Sequence, residues 1–167
     1  MTDPNPIAAV PIDGRQSPAA LDIARGTRRL LLSHGMASLP EISLANGRRA
    51  DLVGLSERGE IWIVEIKSSV EDFRADGKWP QDREFCDRLF FAVGPEFPQG
   101  LLPEDTGLIV ADRFGGDLLR EAPQHPLAPA RRKALTNRLA RVGAMRLLAL
   151  ADPELDFERY AERYLDR

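Results

Sequence analysis

Along "GEIWIVEIKSS" the side chains divide as they would on an extended strand: Ile61, Ile63, Glu65 and Lys67 on one face, Trp62, Val64 and Ile66 on the other. Both faces are apolar in the first half, which predicts a central strand covered on two sides. Two extended segments precede it. "LPEISLA" carries Ile42 and Leu44 on one face, and "RRADLVGLS" follows after a turn containing Asn46-Gly47. With "SERG" as the next turn, the three segments predict an antiparallel meander.

Helical spacing replaces alternation at both ends. In "SPAALDIARGTRRLLLSHG", Leu21, Ala24, Arg28 and Leu31 recur on one stripe, while Arg25 and Arg29 face water. Ser17 is placed to cap this helix, Pro18 fits its first turn and Gly35 ends it. "APARRKALTNRLARVGAMRLLALA" aligns Leu135, Leu139, Val142 and Met145 in the same way. Between the helices, "VEDFRADGKWPQDREFC" is polar, with a helix expected from Pro80 to about Cys86. "DRLFFAV" and "GLIVAD" are strands joined through a loop, and "GDLLREAP" is a weaker strand. The acidic tail from Asp152 is expected to be a short helix or a frayed end.

The expected fold is therefore α/β of the α+β kind, a central mixed β-sheet flanked by helices and not a doubly wound one. Residues 1–16, rich in Pro, Asp and small side chains, are expected to be a flexible lead-in, and 17–167 a single domain.

Composition narrows the function classes. The 167 residues are 43% hydrophobic and 29% charged, ordinary for a folded domain with a core. A net charge of −3 means that any nucleic-acid contact must use a local basic patch. The single cysteine, Cys86, rules out an intrachain disulfide or a Cys-rich zinc site and favours a reducing compartment. The first residues lack a basic, apolar leader, and no segment is apolar enough to span a bilayer. A cytoplasmic location without a membrane partner is the expectation.

The charges in the third strand are the anomaly. Glu65 and Lys67 occupy positions where apolar residues would fold more easily. An isolated Glu-x-Lys is ordinarily a solvated ion pair at a sheet rim. Asp51 changes that reading, because antiparallel pairing brings the start of the second strand beside the end of the third. Two carboxylates can share a hard cation such as Mg²⁺. A cation there makes hydroxide available near neutral pH and offsets phosphate charge. A neighbouring lysine can orient the attacking water or stabilise the transition state. The set suits phosphodiester hydrolysis.

Asp51 followed by "EIK" at Glu65–Lys67 resembles the signature of the PD-(D/E)-x-K nucleases, whose restriction-endonuclease-like core has this helix, meander, helix, strand order. More closely, "VEIKSSVEDFRADGKWPQDREFCDRLFFAV", residues 64–93, resembles the MmcB-like DNA repair proteins of alphaproteobacteria. The resemblance implies a DNA repair protein acting as a metal-dependent deoxyribonuclease. It assigns Asp51, Glu65 and the Ile66 carbonyl to Mg²⁺ (or Mn²⁺) and Lys67 to catalysis. Many members of the superfamily add an acid from the first helix. Here that helix offers Asp22, with Glu41 just beyond it. Gln81 and Ser68 are candidate supporting residues. DNA is the implied substrate, and other repair proteins are further candidate partners. The alternative is a DNA-binding or adaptor protein with the same fold and an inactive site.

Basic residues near these positions are candidate phosphate contacts: Arg48 and Arg49 before Asp51, Arg25 and Arg28 on the first helix, and Lys78 after the motif strand. Trp79 is expected at a core edge and Cys86 against the sheet. His34 and His125 lack ligand spacing and are read as non-catalytic.

Overall fold

A computed structural model describes residues 16–156. The chain runs α1 (Pro18–Ser33), β1 (Met36–Ser43), β2 (Arg49–Ser56), β3 (Ile61–Lys67), α2 (Val70–Ala75), β4 (Arg88–Val93), β5 (Gly107–Ala111), β6 (Gly116–Arg120) and α3 (Pro129–Ala151). Trp79–Phe85 and Gln99–Leu101 are 3₁₀ segments. The lead-in expected at the N-terminus and most of the acidic tail lie outside the described residues; Asp152–Asp156 form a turn.

Six strands form one mixed sheet in sequence order. β1, β2 and β3 are antiparallel neighbours, the expected meander. β3, β4 and β5 run parallel, and β6 returns antiparallel at the edge. Every residue of β3 is buried, as two-sided cover requires. Trp62, Val64 and Ile66 pack toward α1 through Ile23 and Leu31. Ile61 and Ile63 face Leu135, Leu139 and Val142 of α3. A third cluster holds Phe91, Val93, Phe97 and Leu108, with Phe73 of α2 and Trp79 against it. Phe73 and Trp79 each meet Phe91 edge-on, at 5.5 and 5.2 Å between centroids.

Local chemistry sets the punctuation. The Ala20 N–H donates to Ser17 Oγ at 3.1 Å, Pro18 opens α1, and Gly35 at φ +72° turns the chain into β1. Pro40 within β1 is tolerated because that strand lies at the sheet edge. Two expectations need correction. The polar stretch after β3 begins with a helix, α2, capped by Ser69, whose Oγ accepts the Asp72 N–H at 3.1 Å. The segment expected as a helix from Pro80 is a 3₁₀ turn of the chain that starts at Trp79.

Candidate active site

β2 and β3 separate at the end of the meander. Their last backbone pair is Leu52 with Val64. Beyond it, the Ile66 N–H donates to the Asp51 carboxylate, Oδ2, at 2.8 Å. The side chain takes the place of a strand carbonyl, which fixes Asp51 beside the end of β3. The neighbouring backbone is irregular on both sides. Ala50 and Val53 enter the same core cluster although three residues apart, so alternation breaks between them. On β1, Glu41 has φ +52°, a left-handed conformation uncommon for a non-glycine residue.

The resulting cleft has a volume of about 380 Å³ and is lined by Asp51, Glu65, Ile66, Lys67, Arg48 and Arg49 among others. Ser17 at the N-cap of α1 and Ala20 within it, together with Ser68, Asp72 and Asp76, line its walls. Glu65 is 3% exposed and Lys67 4%, so neither sits at a solvated rim.

Nor do the two simply pair. Lys67 Nζ donates to Asp76 Oδ2 at 2.8 Å, while Glu65 Oε1 is buried without a hydrogen-bond partner. A buried carboxylate oxygen in that condition is costly. Burial, then the Asp51 charge, push Glu65 well above the ordinary carboxylate range. Burial likewise lifts Asp51 to about 6, despite the Ile66 N–H and the Lys67 charge that oppose it. Burial alone would lower the Lys67 amine, but the Asp76 hydrogen bond and the surrounding carboxylates hold it above its usual value.

Arg48 forms the second half of the charge network. Its Nε and Nη2 donate to Asp82 at 2.7 and 3.0 Å, and Nη2 reaches Asp76 at 3.4 Å. Asp82 is buried at 1% exposure, so this guanidinium is chiefly its counter-ion.

The other anticipated residues divide. Arg49 and Ser68 line the cleft. Glu41 stands just behind it, held by Gln16 Nε2 at 2.6 Å and Arg49 at 3.5 Å, though its charge still reaches Asp51. Asp22 lies in a neighbouring cavity instead. Arg25, Lys78 and Gln81 are exposed and are not among the lining residues, and Arg28 turns to Ser38 on β1. Trp79 sits at the core edge as expected, and burial pushes the Cys86 thiol up to about 12.

Asp72 and Asp76 were the acids that sequence reasoning passed over. For Asp72 a signal existed: Ser69-x-x-Asp72 has helix-capping spacing, and its Oδ2 accepts the Ser68 N–H at 3.0 Å. Asp76, at the C-cap of α2, reaches Lys67 through a loop that no spacing rule describes. Among the described residues, no three His, Cys, Asp or Glu side chains are grouped to hold a metal by themselves. The pair Asp51 and Glu65, with an orphaned oxygen and both carboxyls held above the ordinary carboxylate range, is nonetheless the donor set a hard cation would relieve.

The family model for the DNA repair protein MmcB-like family matches residues 8–154. The chain belongs to that MmcB-like family. A solved structure, the SPO1766 protein of unknown function from Silicibacter pomeroyi, is similar at 47% sequence identity with a TM-score of 0.80, covering 83% of this chain and 95% of that one. No curated protein matches.

Proposed function

We propose that the protein is a metal-dependent nuclease of the PD-(D/E)-x-K type, hydrolysing DNA phosphodiester bonds in repair. The observation that carries the reading is the buried Glu65 Oε1, which lacks a hydrogen-bond partner and shares the cleft with Asp51. Family membership, with its DNA repair description, supports DNA as the substrate. The order helix, antiparallel meander, helix, parallel strand supports the superfamily assignment.

Asp51, Glu65 and the Ile66 carbonyl would hold Mg²⁺ or Mn²⁺, which supplies positive charge against the phosphate and a nucleophile near neutral pH. Asp51 is fixed for this by the Ile66 N–H. Lys67 carries its proton at neutral pH, so its role is to stabilise negative charge developing on phosphorus, with Asp76 setting the direction of Nζ. Arg49, on the same wall, is a phosphate contact.

The test is cleavage of labelled single-stranded, duplex and branched DNA with and without Mg²⁺ or Mn²⁺. Asp51→Asn, Glu65→Gln and Lys67→Met should each remove cleavage, and the first two should weaken metal binding in calorimetry. A wild-type protein that binds DNA but cuts none of the three substrates in either metal would make it a binding or adaptor protein. Lys67→Met is preferable to Lys67→Ala, because Lys67 is buried and truncation would open a cavity as well as remove charge.

A further inference from the structure

A second cavity of about 530 Å³ adjoins the carboxylate cleft. The two share Ser68, and they use different residues at the start of α1: the N-cap Ser17 and Ala20 line the cleft, Ala19 and Ile23 the second cavity. It opens beyond the ends of the parallel strands, where Ser68 follows β3, Gly94 follows β4 and Ala111 closes β5. Crevices at the carboxyl ends of parallel strands are where α/β sheets commonly bind ligands.

At its rim stands Phe114, 72% exposed. Among the described residues it is the one exposed Phe, Tyr or Trp. Nothing in the core uses it, yet its backbone is tightly held. The Phe114 and Gly115 N–H groups donate to Asp112 Oδ1 at 2.8 and 3.1 Å, and Arg29 Nη1 donates to the Phe114 carbonyl at 2.9 Å. Gly26 of α1 lies so close beneath this turn that an added Cβ would stand 1.9 Å from the Asp112 oxygen. An apolar ring on a fixed turn, beside a cavity, is a stacking platform.

We propose that this cavity and Phe114 receive an unpaired base of a nucleic-acid strand whose phosphates cross the Asp51–Glu65 cleft; this rests on the nuclease reading and narrows its substrate to strands with unpaired bases. The wall chemistry favours a base over a phosphate. Ile23, Val70 and Phe97 offer apolar surface to a ring, and the exposed carboxylates of Asp22 and Glu96 repel phosphate but accept from the N–H groups of a base edge. Among the described lining residues the cation is Arg113, whose guanidinium stands 5.4 Å from the Phe114 ring centre, over one face of the ring; a base would stack on the opposite face.

Equilibrium binding in EDTA, which prevents metal-dependent cleavage, tests this with fluorescently labelled single-stranded DNA and the matching blunt duplex. Wild type should bind the single strand more tightly than the duplex. Phe114→Ala should weaken single-strand binding about tenfold, Phe114→Trp should retain it, and duplex binding should be unchanged in both. The exposed side chain makes either variant compatible with folding, checked by an unchanged melting temperature. Wild-type binding of the single strand with no loss in Phe114→Ala would overturn the stacking site while leaving the nuclease reading standing. Equal loss on single strand and duplex would also overturn it, by making Phe114 a general contact. Failure of the wild type to bind either probe at low salt, in EDTA and again with Mg²⁺ present, would remove the nucleic-acid reading itself, and this inference with it.

Discussion

Lys67 Nζ lies 2.8 Å from Asp76 Oδ2, joining the end of the central strand to the C-cap of the short helix that follows it. The lysine is almost wholly buried, so the contact is not a screened surface pair. It should couple strongly. A double-mutant cycle with Lys67→Met and Asp76→Asn, read by urea unfolding, is expected to give an interaction energy on the order of 1–3 kcal/mol. A coupling near zero would mean that the pair is not maintained in solution, and that Nζ is free to point elsewhere in the cleft.

The paired carboxylates make a prediction of opposite sign from the usual one. Asp51 titrates near 6 when folded against 3.8 as an isolated group, and Glu65 is raised as well, in both cases first through burial. Over that interval the folded state binds protons that the unfolded chain has released, so stability contributed by these groups falls as pH rises from 3.8 through about 6. Asp51→Asn keeps an oxygen to accept the Ile66 N–H and removes the charge. It should therefore be more stable than wild type at pH 8, on the order of 1–2 kcal/mol, and equal to it well below pH 4. Added Mg²⁺ should raise the wild-type melting temperature at pH 8 and leave the variant unmoved. A variant less stable than wild type at pH 8 would refute a net cost of holding Asp51 ionised in the folded cleft.

What could be read from the sequence here was what period and punctuation encode. The faces of β3, the cap and stop of α1, and Leu135, Leu139 and Val142 on α3 follow from spacing alone, and the structure buries them as spacing requires. Asp51 was identifiable because strand pairing is a local rule that carries it to Ile66. Asp76 and Asp82 were not, because loops and a 3₁₀ turn bring them to Lys67 and Arg48. α2 has six residues, too few for a helical period to register, although Ser69 and Asp72 marked its start. The left-handed Glu41 has no sequence signature, since backbone strain of this kind is imposed by the tertiary surroundings.

Asp87 ties α3 to the sheet. Its carboxylate accepts the Ile61 N–H at 2.7 Å and two Arg132 N–H groups at 2.7 Å each, while Arg132 also donates to the Gly59 carbonyl at 2.8 Å. Burial would raise this acid, but the Arg132 and Ile61 hydrogen bonds hold it below the ordinary range. Its contribution is thus present above pH 3.8 and lost as pH falls through the lowered value. Asp87→Ala should cost about 2–3 kcal/mol, discounted for the partly exposed Arg132. Amide exchange should accelerate first in the opening turns of α3. Uniform acceleration across the sheet instead would show that Asp87 supports the whole core rather than the docking of one helix.

Gly26 offers a prediction that runs against helix propensity. In an exposed helix interior, Gly→Ala is worth roughly 1 kcal/mol of stabilisation. In α1, however, Gly26 is buried against the turn between β5 and β6, and the new methyl would meet the Asp112 and Gly115 carbonyl oxygens at 1.9 and 2.3 Å. Both obstacles are backbone, so no rotamer change relieves them. Either α1 moves off the sheet or the turn yields. The overpacking cost, on the order of 1–3 kcal/mol or more, exceeds the propensity gain. Gly26→Ala should therefore lower the melting temperature through this clash, whereas Ala20→Gly, on the partly buried first turn, should lower it by the ordinary helix amount and the loss of one packed methyl. Because the same turn carries Phe114, Gly26→Ala should also weaken single-stranded DNA binding more than its loss of stability accounts for at temperatures well below the transition. An unchanged or raised melting temperature in Gly26→Ala would show that helix and turn are not in close contact, and would remove the rigid support on which a stacking role for Phe114 depends.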